Sequence, residues 1–218
     1  MRSVFALMFC CVAASVASAE TKSAPFSYVR TSRHSVTTIH GLNYRLTMPA
    51  RFHVVAAENR VDTFNSHPYR ISLTAFLATD AAVMVHAETV ADASGASNYD
   101  NLPTARLHGR RFHVRPDQCV DLAPAQLDGE HDLLWLSKNG FSPTGPLQLR
   151  QFLASSDDHN REIVISLLLR VADCAHVDVD IKGLRALQNE LRLNAVHGLK
   201  VRWLKPGAAA LDRSATSG

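Results

Sequence analysis

The chain has 218 residues, 46% hydrophobic and 20% charged, with a formal net charge of +3 at pH 7. Those proportions describe an ordinary globular protein, and a charge this mild does not by itself imply nucleic acid as a partner. Beyond the first residues, no segment is apolar for long enough to span a bilayer, which takes about 20 residues as a helix.

Residues 1–19 read as a secretory signal peptide. Arg2 gives a positive start, residues 4–16 are apolar, and Ala17-Ser18-Ala19 supplies the small-x-small pattern that signal peptidase accepts. Phe9 before Cys10 is too bulky for a lipoprotein site. Cleavage would remove Cys10 and Cys11 and leave Cys119 and Cys174, an even pair expected to form one disulfide in an oxidising compartment. The alternative is a reactive Cys174 thiol served by His176. No Asn-x-Ser/Thr sequon occurs, which points to a bacterial periplasm ahead of an extracellular destination.

Residues 20–41 are rich in Ser, Thr, Arg and His without an apolar period, so they are predicted to form a flexible polar arm. The predicted domain runs over 42–204. Strands are expected at 44–48, 71–77, 82–90 and 111–115, followed by a hairpin of 147–154 with 162–171 across a polar turn. The second hairpin strand is almost continuously apolar and should be central. A helix is predicted over 129–138, capped by Asp128 and ended by Asn139-Gly140, and another over 179–193. Residues 205–218 read as a disordered tail. The order implies a single α+β domain, a mostly antiparallel sheet with two main helices packed on it.

Candidate chemistry is sparse. His86 and Glu88, at i and i+2, share one strand face and could reach one ion or polar ligand, with His176, near Asp178 and Asp180, as a further donor. Arg106, Arg110, Arg111 and Arg115, interleaved with His108 and His113, form the densest basic cluster. They could grip phosphate groups or simply guard an edge strand. Residues 140–145 lack the G-x-S-x-G spacing of a serine elbow, and Asp157, Asp158 and His159 fit a turn. Residues 92–103 have the composition of an adaptable contact loop.

No cofactor signature is present. These features favour an exported, non-catalytic binding or accessory protein of the envelope or a secretion system, with another envelope protein, or a polyanion on the basic strand, as partner. A periplasmic hydrolase with a non-motif site is the alternative, and a metal-binding envelope protein the third.

Overall fold

A computed structural model describes residues 26–174 and 198–205. The strands are β1 (Val29–Ser32), β2 (Ser35–Thr38), β3 (Tyr44–Thr47), β4 (His53–Val54), β5 (Glu58–Phe64), β6 (His67–Leu77) and β7 (Ala81–Val90). They continue as β8 (Thr104–Leu107), β9 (Arg110–Val114), β10 (Gln118–Leu122), β11 (Gly145–Ser155), β12 (Arg161–Arg170) and β13 (Lys200–Trp203). A 3₁₀ turn, Pro124–Leu127, and helix α1, His131–Lys138, lie between β10 and β11.

This corrects the expected fold class. Strand makes up 52% of the structure and α1 is the one helix of seven or more residues among the described residues, so the fold is β-rich. The helix expected over 179–193, the leader and the tail from 206 onward lie outside the described residues. Residues 29–38, expected in a flexible arm, instead form β1 and β2 with Val36 fully buried. Their β-branched Val and Thr suit a pleated surface even where apolar residues are few.

Every strand pairing is antiparallel. A four-stranded sheet runs β1-β2-β3-β13, so the last described strand closes a sheet begun by the first three. A nine-stranded sheet runs β4-β6-β7-β12-β11-β9-β8, with β5 on β6 and β10 on β11. One face of the large sheet presents Val83, Val85, Ile163, Ile165 and Phe152 to Val36, Leu46 and Val201 of the small sheet. The opposite face carries Leu73, Met84 and Leu168 against Trp135, Leu136 and Phe141 of the α1 region. Strands β7 and β12, covered on both sides, are accordingly apolar over most of their length. The helix ends at Asn139, as expected, but its N-cap is Glu130, not Asp128, which follows the 3₁₀ turn.

A two-residue loop closes the β5–β6 hairpin. Phe64 pairs with His67, and Asn65 and Ser66 both adopt positive φ, +49° and +70°. That is the type I′ geometry, in which glycine is the favoured second residue. The Cβ of Ser66 works against this backbone, so Ser66→Gly should stabilise the protein by about 1 kcal/mol. Urea denaturation measures the change, and a loss of stability would contradict the assigned turn.

Candidate functional site

Alternation along β7 places Met84, His86 and Glu88 on the face that looks toward α1. Register then decides what they meet. Glu88 stands opposite Glu162 of β12, and His86 lies between Leu73 of β6 and Val164 of β12. Glu88 and Glu162 are 5% and 4% exposed, so two carboxyls share an apolar interior. Burial, then the charge of Glu88 and a hydrogen bond with it, pushes Glu162 up to about 8. The pair therefore holds one proton through neutral pH.

The pair is the middle of a longer chain of polar contacts. The Tyr99 hydroxyl donates to Glu162 Oε2, and Ser97, also buried, lies beside it. Burial, followed by the charge of Glu162, raises the pKa of that phenol and keeps it a donor. On the other side, His86 Nδ1 lies 3.0 Å from Glu88 Oε1, and His86 Nε2 lies 3.6 Å from Asp132 Oδ2 on α1. Burial lowers the affinity of this imidazole for its proton, but the Glu88 hydrogen bond and the Asp132 charge outweigh it and leave the pKa raised.

Asp132 Oδ1 in turn accepts from Arg60 Nη2 of β5 at 2.7 Å, and Glu58 Oε1 lies 3.2 Å from His131 Nε2. His40 closes the far end, with Nε2 2.8 Å from the Glu162 carbonyl oxygen. Burial drops its pKa to about 4, so it is neutral at pH 7. The network thus links a buried shared proton to half-exposed groups on α1 and β5. Its chemistry is proton storage and the fixing of charge between elements.

The structure brings His86 and Glu88 together, but as hydrogen-bonded partners. His176 lies outside the described residues, and among the described residues no group of three His, Cys, Asp or Glu side chains could hold a metal ion. Cys119 and Cys174 form the disulfide, with Cα atoms 5.5 Å apart, so Cys174 offers no thiol to a neighbouring histidine. Asp157 and Asp158 are exposed turn residues.

The four arginines of the basic cluster do not form one patch. Arg106 and Arg111 are direct cross-strand partners on the β8–β9 hairpin, and Arg115 follows with the parity of Arg111. Arg110 lies on the opposite face, close enough to Tyr44 to influence its phenol. The loop at 92–103 is pinned where an adaptable surface was expected. Gly95 N donates to Asn160 Oδ1, Ser97 N donates to the His159 carbonyl, and Tyr99 reaches inward to Glu162.

Sequence reasoning missed Glu162, Tyr99 and Asp132, since only strand register and loop closure bring them to His86 and Glu88. No family model matches the chain, and no curated protein or solved structure matches it either.

Proposed function

We propose that the protein is an exported, non-catalytic binding protein of the cell envelope, which joins a partner protein by strand addition at β5. The observation that carries this reading is the open edge of that strand. Among the described residues β5 pairs only with β6, and it bears the exposed large hydrophobics Val61, 53% exposed, and Phe64, 43% exposed. Edge strands are normally blunted by charge or cover. Here Glu58, Arg60 and Asp62 lie on the α1 side, where Arg60 gathers Asp62 and Asp132.

The Thr63 N–H turns to Asp62 Oδ1 at 2.8 Å, not to β6. Alternation then directs the N–H groups of Asn59 and Val61 outward, where a partner strand would take them up. The small-x-small site after the apolar leader and the Cys119–Cys174 bridge support export. The hydrolase reading finds less support, because Tyr99 and the surrounding core cover the carboxyl pair.

Val61→Pro tests the proposal, since proline is tolerated where a strand's N–H faces outward. Wild-type protein recovered from the envelope should bring down a partner whose affinity falls at least about tenfold in the variant, with thermal stability little changed. Identical partners and affinities for both proteins would refute docking at β5. A chain recovered from the cytoplasm with Met1 in place would refute export.

A further inference from the structure

We propose that Arg106 and Arg111, on the β8–β9 hairpin, clamp a phosphomonoester between them. Register builds the clamp. Leu107 and Phe112 turn into the core, which sends Arg106 and Arg111 to the opposite face as direct cross-strand partners. His108 and Gly109 form a two-residue loop at φ of +48° and +79°, flanked by Leu107 and Arg110. The next pair out, Arg106 with Arg111, is therefore the non-hydrogen-bonded kind, whose side chains start only about 5 Å apart. Both are exposed. The hairpin is held in place, because His108 Nε2 donates to the Leu199 carbonyl. Arg106 Nη1 donates to the Gly109 carbonyl at 3.0 Å, which steadies that guanidinium beside the turn and leaves Nε and Nη2 for a ligand. Arg111 forms no side-chain hydrogen bond or ion pair among the described residues.

Like charges directly opposite on a sheet repel, so the free protein carries an unfavourable contact that a bridging anion relieves. Protection of a sheet edge does not account for the pair. Arg106 on the outermost strand suits that role, but Arg111 belongs to β9, which has β8 on one side and β11 on the other. The chain itself supplies no counterion: residues 101–116 contain no Asp or Glu. The flanking Asp117 accepts from Arg150 Nε at 2.8 Å, and Asp100 lies 3.9 Å from His159 Nε2. Charge then selects the ligand. Two guanidinium forks carry +2, and a phosphomonoester brings nearly two negative charges with three acceptor oxygens, where a carboxylate or a phosphodiester brings one charge. Thr104, exposed on the same face, adds a hydroxyl.

Calorimetric titration of the full-length protein tests the clamp, with phenyl phosphate as the monoester and methyl phenyl phosphate as the diester. The monoester should bind and the diester should bind more weakly. Arg111→Gln should reduce monoester affinity at least about tenfold. Arg111→Lys, which keeps the charge and loses the fork, should fall between, and it decides the matter if the Gln variant fails to fold. Arg115→Gln, about 13 Å farther along the chain, and Val61→Pro on β5 should leave binding unchanged. Urea denaturation should show Arg111→Gln no less stable than wild type, since it removes one of two facing like charges. Sedimentation with phosphatidic acid vesicles distinguishes the sources: retention assigns the phosphomonoester to a lipid headgroup, and exclusion assigns it to a soluble compound. Equal affinity for monoester and diester, wild-type binding by Arg111→Gln, or an equal loss in Arg115→Gln would each overturn the proposal.

Discussion

Replacing Glu162 by Gln is expected to stabilise the protein at and above about pH 8 and to change little below pH 4.5, because the folded carboxyl holds its proton to about 8 against an ordinary value of 4.5. A raised carboxyl pKa favours the folded state while both states are protonated, and that advantage is lost as pH rises from the unfolded toward the folded value. Over this window the loss amounts to roughly 5 kcal/mol at 1.36 kcal/mol per pH unit. His40 acts in the opposite sense. Its folded value of about 4 lies below the ordinary 6.5, so protonation of the unfolded chain removes roughly 3 kcal/mol as pH falls across that range.

The two windows overlap between pH 4.5 and 6.5, where their slopes cancel. Wild-type stability should therefore form a plateau there, falling on the alkaline side through Glu162 and on the acid side through His40. Urea denaturation across pH measures the profile, and Glu162→Gln should remove the alkaline limb and replace the plateau by an acid limb running from about 6.5 down to about 4, the range over which His40 then acts alone. A variant destabilised equally at every pH would mean that the carboxyl is ionised in the folded protein, and the shared proton would have to be abandoned.

Removing the disulfide should cost about 4 kcal/mol in the chain-entropy account for a loop closed across 55 residues of separation. The geometry gives the bridge a local task as well. Strands β10 and β12 lie along opposite edges of β11, and Val171 N donates to the Pro146 carbonyl as the chain leaves β12. Cys174 then fastens that exit to Cys119 on β10, across the end of β11. Cys119→Ser with Cys174→Ser should lower the urea midpoint accordingly. Thiol labelling of the protein, denatured without reductant, should leave Cys119 and Cys174 unmodified, and labelling of both would disprove the bridge.

The sequence was legible where local pattern and tertiary role agree. Residues 163–169 announce a central strand by a run that is apolar but for Ser166, and Leu133, Trp135 and Leu136 announce the buried side of α1. The short strands were harder, because β1, β2 and β13 contribute only Val29, Val36 and Val201 to the core in four residues each. Their Ser, Thr, Arg and Lys read as solvated chain until a second layer gives the inward side a partner. Strand β5 was hidden by Glu58, Arg60 and Asp62, whose charges are matched by side chains from α1 and from the strand itself. His86 and Glu88 could be singled out from strand parity alone. Glu162 could not, because a glutamate beginning a strand looks like any hairpin shoulder until register sets it against a second carboxyl.

The closure of the small sheet bears on how the protein is made. Strand β3 has β2 on one side and β13 on the other, so its second edge stays bare until the chain has been synthesised past Trp203. Leu46 and Tyr44 wait with it, since Val201 and Trp203 are their cross-strand partners. Loop closure over such a distance is slow. A chain arranged this way stays short of its final form while its earlier strands assemble, and completes the small sheet only when β13 is in place.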